Sequence, residues 1–316
     1  MGLKEKKLAF LFPGQGAQYP KMALDFFEVS SAVRELFSLA SKQTGIDLYE
    51  LLEKSDENEL KRTDRAQIAI TLANLASAEF LQENNGFPAA VAGHSLGEYA
   101  ALVTAGVISK EDCFLLVKAR AEAMNLAVAA SNGGMSAVLG ANPETVEKIT
   151  GELRESGFEL YAANFNSQRQ TVISGTETAL KEAEAKLKAA GARRVIRLPV
   201  AGAFHSPFMS AAAESFNKTL LSVNFVNPKI DFFSNVEGRS VKDAAIIKTL
   251  AAKQITAPVL WTKEEAALEL MGFDAVIETG PGTALSALWR DSGTKIPCFN
   301  AGTLVNAKET LSALNE

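Results

Sequence analysis

The sequence predicts a two-domain α/β protein. Three observations lead there. Short apolar, strand-like runs alternate with helix-like segments through most of the chain. One run, Ala89-Ala90-Val91-Ala92, passes through a glycine-flanked turn, Gly93-His94-Ser95-Leu96-Gly97, into a helical stretch over 98–105. Over 132–198 the order becomes strand, helix, strand, strand, helix, strand. The expected division is a large domain over 1–131 and 199–316, with a small domain, 132–198, inserted into it.

Taken in order, Leu8-Ala9-Phe10-Leu11-Phe12 is an apolar run that reads as a buried first strand. It runs into Pro13-Gly14-Gln15-Gly16-Ala17-Gln18. Tyr19 stands where a dinucleotide fingerprint needs its third glycine. The stretch is therefore either a loop whose backbone N–H groups face an anion or oxyanion, or a plain strand-to-helix turn. Helices follow at about 23–28, 32–43 and 65–83, the last stopped by Asn84-Asn85-Gly86-Phe87-Pro88. Ser109 N-caps a helix that runs to about Ala130. Its apolar stripe is Cys113, Leu116, Val117, Met124, Ala127 and Val128, and Arg120 falls within that stripe. Next come a strand at 135–139, a helix at 143–154 opened by Pro143, strands at 159–163 and 171–174 joined by 164–170, a helix at 177–190 and a strand at 194–198. This βαββαβ order is the ferredoxin-like unit, closed by Pro199. Beyond it lie helices near 209–221 and 243–254 and strands at 230–234 and 275–277, with 261–271 continuing the α/β alternation.

The composition excludes several classes. The chain has 316 residues, 47% hydrophobic and 22% charged, with a net charge of −5, which argues against general nucleic-acid binding. No apolar run approaches the ~20 residues of a membrane span. The run after Lys7 is shorter than the ~7–15 residues of a secretory signal core. Cys113 and Cys298 form neither a metal spacing nor a disulfide framework. These features fit a cytoplasmic protein without a resident metal.

The chemistry centres on Gly93-His94-Ser95-Leu96-Gly97. Strand, sharp turn and helix are the setting of a G-x-S-x-G nucleophile elbow, where a Cβ at either glycine would clash. The turn lifts the Ser95 hydroxyl and aims a helix N-terminus at the site of a developing oxyanion. A serine nucleophile needs a base, usually histidine. Of the two histidines, His94 adjoins Ser95 and should point away from it, which leaves His205. An inward Arg120 keeps its charge, so its partner is either a nearby Asp or Glu or the carboxylate of a substrate.

The full set of motifs resembles the malonyl-CoA:acyl-carrier-protein transacylase family. Phe12-Pro13-Gly14-Gln15-Gly16-Ala17-Gln18, Gly93-His94-Ser95-Leu96-Gly97-Glu98-Tyr99, Arg120, Asn164-Phe165-Asn166, Gly202-Ala203-Phe204-His205, Pro258-Val259-Leu260-Trp261 and Gly280-Pro281-Gly282 follow that family's order. The resemblance implies an α/β-hydrolase-like large domain with the inserted ferredoxin-like one. It implies an enzyme that moves malonyl from malonyl-CoA to the phosphopantetheine thiol of acyl carrier protein through an acyl-serine. Ser95 is then the nucleophile and His205 its base. Backbone N–H groups of Gln15 and Leu96 form the oxyanion hole, and Arg120 holds the malonyl carboxylate. Gln254 orients His205 through its backbone carbonyl. Gln15, Met124, Asn166 and Phe204 line the substrate site, with Asn164 and Asn166 near the domain interface. Phe204 either excludes an α-methyl group or simply packs. Gln168-Arg169 departs from the Pro-Gly common in the family. No permanent cofactor is implied, and a monomer is expected. The carrier is acidic and transient, so Arg193, Arg194, Arg197 and Lys253 are candidates for a basic docking patch, or for an ordinary solvated face. A polyketide-pathway acyltransferase acting in trans and a serine esterase or thioesterase are the rival readings.

Overall fold

Two sheets organise the chain in the computed structural model, which describes residues 3–129, 132–200 and 202–316. The expected helix end at Ala130 and the Ala201 of the histidine segment lie outside the described residues. The strands are β1 (Leu8–Phe12), β2 (Pro88–Gly93), β3 (Gly133–Leu139), β4 (Leu160–Ser167), β5 (Gln170–Thr176), β6 (Arg194–Arg197), β7 (Asp231–Ser234), β8 (Arg239–Val241), β9 (Ala275–Glu278) and β10 (Cys298–Asn300).

The large sheet has the order β10-β9-β1-β2-β7-β8 and is parallel except for β8. Its central strands β1, β2 and β9 are buried on both faces, which is why they read as continuous apolar runs rather than alternating ones. In β1, Leu8, Phe10 and Phe12 enter one core, while Ala9 and Leu11 enter a second core around Trp261 and Trp289. The helix Thr63–Glu83 is buried along most of its length and packs on Lys110–Ala129. Because the strands are parallel, the ends of β1, β2 and β7 all open on one side of the sheet. That is where an open α/β sheet places its ligands.

The small sheet has the order β4-β5-β3-β6 and is antiparallel throughout. With the helices Pro143–Glu155 and Glu177–Ala189 it makes the ferredoxin-like unit, which has its own core around Val138, Leu153, Ile173 and Leu187. Local chemistry explains the helix starts. The Asn142 side chain accepts from the Thr145 amide ahead of Pro143, Thr176 accepts from Ala179, and Ser109 accepts from Asp112. Each such cap is worth about 1 kcal/mol.

One segment differs from the expectation. Residues 164–167 belong to β4, not to a connection, and the turn is only Gln168-Arg169. Two register shifts bend β4, which hides its strand character in the sequence. β4 is the edge strand of its sheet. It bridges to Val259, outside this unit, through Phe165 N–H to the Val259 carbonyl and Val259 N–H to the Ala163 carbonyl, each 2.9 Å. The short helices Leu48–Lys54 and Glu57–Lys61, and the three-residue strands β8 and β10, carry too little periodicity to be read from sequence.

Candidate active site

The turn after β2 is as tight as its glycines imply. A Cβ on Gly93 would strike the backbone of Gly97, and one on Gly97 would strike the Phe12 carbonyl. The strained residue is Ser95 itself, with φ of 50°. Its Oγ lies 2.7 Å from Nε2 of His205. His205 Nδ1 faces two carbonyl oxygens, of Gln254 at 3.0 Å and Ala257 at 3.1 Å. Both can only accept, so Nδ1 carries the proton and Nε2 is free to accept from the serine hydroxyl. Burial, helped by the Arg120 charge, lowers the His205 pKa to about 3, so the ring is neutral at pH 7.

Arg120 is 1% exposed. Its Nη1 donates to Gln67 Oε1 at 2.7 Å, and its Nη2 to Ser95 Oγ at 3.3 Å and Gln254 Oε1 at 3.4 Å. Its Nε has no hydrogen-bond partner, and among the described residues no carboxylate forms an ion pair with it. The salt-bridge alternative is therefore not realised. Glu98 is nearby, but burial raises its pKa to about 7, and its carboxyl takes the amide of Asn235 instead. Tyr99 lies under the guanidinium, 5.6 Å from ring centre to Cζ.

Ser95, His205 and Arg120 share a cavity of about 210 Å³ with Gln15, Met124, Asn164, Asn166 and Phe204. His94 also lines it, turned from the serine, with Nε2 2.8 Å from Asn166 Oδ1. The small sheet closes the far wall with Met135, Ala137 and Val172. Ser174 of β5 donates to the Phe204 carbonyl at 2.6 Å and so fixes the residue before His205. Leu96 is buried beside the elbow, and among the described residues neither its amide nor that of Gln15 has a hydrogen-bond acceptor. Gln254 stands behind the cavity, its Nε2 donating to the Ser95 carbonyl at 2.9 Å. No group of three His, Cys, Asp or Glu able to hold a metal occurs among the described residues.

Sequence reasoning missed four polar residues here. Gln67 braces Arg120, and Asn235, Glu98 and Glu264 form a buried network beneath the elbow. A polar residue directly after the buried strand β7 is the signal that marks Asn235.

Comparison with known proteins bears directly on this constellation. The acyl transferase domain family matches residues 9–307. The malonyl CoA-acyl carrier protein transacylase of Salmonella typhimurium is 38% identical over 283 residues, covering 89% of this chain and 91% of that protein. The chain belongs to the malonyl-CoA:acyl-carrier-protein transacylase family. A solved transacylase from Clostridium perfringens is 37% identical with a TM-score of 0.93, covering 98% of this chain and 97% of that one. A malonyl-transacylase solved in complex with a type II polyketide acyl-carrier protein is 32% identical with a TM-score of 0.92, covering 97% and 99%. Against the transacylase-family pattern, Gln168-Arg169 still makes a compact turn. The Arg169 amide donates to Ser167 Oγ at 3.2 Å, and its carbonyl accepts from Gly140 at 2.8 Å.

Proposed function

We propose that this chain transfers malonyl from malonyl-CoA to the phosphopantetheine thiol of acyl carrier protein, by way of Ser95. The observation that carries this reading is the buried guanidinium of Arg120, unpaired with any carboxylate among the described residues and 3.3 Å from the Ser95 hydroxyl. A buried cation beside a nucleophile calls for an anionic acyl group, and malonyl supplies a carboxylate at the right remove from its thioester.

In the first half-reaction His205 Nε2 takes the Ser95 proton as Oγ attacks the thioester carbon. The C=O bond becomes an oxyanion facing the amides of Gln15 and Leu96, each worth about 3–4 kcal/mol in comparable sites. The C–S bond then breaks, and the CoA thiolate takes the proton from His205. In the second half the carrier thiol gives its proton to His205 and attacks the acyl-serine, and Ser95 leaves with that proton. Gln254 holds His205 through its carbonyl, the place an acid fills in a hydrolase. Phe204 narrows the cavity against an α-methyl group. Met124 and Asn166 line the cavity around the acyl chain.

The carrier is acidic, and Arg193 and Arg194 form part of its landing surface. They line a second cavity with Arg169 and Asp291, and that cavity shares Gln170 with the first. Arg197 is a weaker member, since it pairs with Glu177 and donates to the Met135 carbonyl. Lys253 is exposed beside Gln254. Residues 1–131 and 199–316 form the large domain and 132–198 the small one. The protein acts as a cytoplasmic monomer, and no described helix is long and apolar enough to cross a membrane. The relative bound to a polyketide carrier keeps one alternative in view, a carrier from that pathway rather than from fatty-acid synthesis.

The test is intact-protein mass after brief mixing with malonyl-CoA, beside acetyl-CoA and the Ser95→Ala variant. One malonyl unit, absent from the variant and discharged by either carrier type, is the expected result. Steady release of free CoA without an adduct would instead mean hydrolysis.

A further inference from the structure

Asn235 is the first residue after β7, and β7 pairs with β2, so the chain delivers this side chain to the underside of the Ser95 turn. It is wholly buried. Its Oδ1 accepts from the Ser95 amide at 2.7 Å and from Gln254 Nε2 at 3.4 Å. Its Nδ2 donates to the Gly93 carbonyl at 2.7 Å and to Glu264 Oε1 at 2.9 Å. Its own amide donates to Glu98 Oε2 at 2.9 Å. One residue thus grips the turn at Gly93 and at the Ser95 amide, the helix that follows through its own backbone amide, and the residue whose carbonyl holds His205.

We propose that Asn235 is a positioning residue for acylation at Ser95. By drawing the Ser95 amide and the Gly93 carbonyl onto one carboxamide, it holds the left-handed turn so that Oγ stays on the line to His205 Nε2. This rests on Ser95 being the nucleophile. Together with Gln254, which donates to the Ser95 carbonyl, it secures both backbone polar groups of the strained residue. The Ser95 amide is thereby turned from the cavity, which leaves Leu96 and Gln15 as the amides free for an oxyanion.

The chemistry requires a carboxamide. One end must accept from an N–H, and the other must donate to two oxygens. An aspartate offers the first but sets a second oxygen against the Gly93 carbonyl. Only its protonated form restores a donor there. The groups facing this position favour that form at acid pH. Glu264, from the helix Trp261–Glu269, is held well above the ordinary carboxylate range by burial and by Glu98. Glu98, on the helix Gly97–Thr104, is raised to about 7, chiefly by burial; Glu265, behind Glu264 and bonded to Trp261, is raised to about 8 by burial. The cation Arg120 and the neutral ring of His205 lie beyond Gln254.

The experiment compares wild type, Asn235→Asp and Asn235→Ala as full-length proteins at pH 5.5 and pH 8. It reads the rate at which a fluorophosphonate probe labels Ser95, with malonyl-CoA acylation alongside and thermal melting to establish that each variant is folded. Both variants are expected to label about 100-fold more slowly at pH 8, the cost of a nucleophile displaced by a fraction of an ångström to an ångström. Asn235→Asp alone should regain at least roughly tenfold at pH 5.5. A merely structural asparagine would lower the melting temperature without giving this acid recovery. Folded variants that label at the wild-type rate would overturn the proposal. So would an aspartate variant whose pH dependence matches that of alanine or, should the alanine variant not fold, that of wild type. Wild-type protein left unlabelled at Ser95 is a separate failure, that of the nucleophile reading itself.

Discussion

Arg120→Ala is the perturbation that most directly probes substrate choice. The guanidinium is buried; among the described residues its Nη2 makes only the long contacts to Ser95 and Gln254, and its Nε has no partner. A malonyl carboxylate would meet these two groups as a fork, with two charge-assisted hydrogen bonds of about 1.5–3 kcal/mol each. Truncating one member of a buried charge pair costs roughly 3–5 kcal/mol, and each 1.36 kcal/mol is tenfold. For malonyl-CoA, kcat/KM should therefore fall by about 10²- to 10⁴-fold. Acetyl-CoA has no carboxylate to lose. Its change comes only from the acceptors left behind on Gln67 and Gln254 and from the lost contact to Ser95, and should be about tenfold or less. The assay is single-turnover acylation with both thioesters, followed as adduct mass. The malonyl-to-acetyl ratio should collapse by at least about 10-fold. A ratio within about threefold of wild type would refute the pairing of Arg120 with the carboxylate, whatever happened to the absolute rates. Arg120→Lys, which keeps the charge and loses the fork, should fall between the two.

Three other outcomes follow from the same geometry. A base works when unprotonated, and the His205 pKa is lowered by burial to about 3, so acylation should hold its rate as pH falls from 8 to about 5; an acid limb with its midpoint at the ordinary histidine value of 6.5 would contradict the assignment. Phe204→Ser should admit methylmalonyl-CoA, raising its kcat/KM by about tenfold or more against malonyl-CoA, and an unchanged ratio in a competition assay would mean the ring only packs. Arg193→Glu with Arg194→Glu should raise KM for the carrier protein by about tenfold at low salt while leaving acylation by malonyl-CoA nearly intact; an equal loss in both half-reactions would place the carrier elsewhere.

Some of this site was legible because its signals are local. A serine between two glycines, flanked by an apolar run and a helix, carries its own structural context, and the close approach of Gly97 to the Phe12 carbonyl is the physical reason for that spacing. Arg120 was legible for a different reason: a charge in an apolar helical stripe contradicts its surroundings and demands a partner. Gln67 is a weaker case of the same kind, an amide on a helix buried along most of its length, and without a formal charge it passed as tolerable polarity. β4 was misread at its end because bulges break the alternation that marks a strand.

Asn235 and Glu264 were illegible for a reason rooted in topology. Asn235 lies 140 positions from the serine whose amide it holds, and nothing in either neighbourhood refers to the other. What joins them is the order β1-β2-β7 at the centre of the parallel sheet. Apolar runs reveal that strands exist, but parallel strands connected through helices do not reveal which lie side by side. Once the order is known, the consequence is immediate. The loops after β1, β2 and β7 must converge, so Gln15, Ser95 and Asn235 are brought to one point by the sheet rather than by any motif. The site therefore has two layers of specification. The residues set to meet substrate are written locally, in glycines and an out-of-place charge. The residues that hold them are written in the sheet order, and a buried polar side chain just past a strand end is the trace they leave in the sequence.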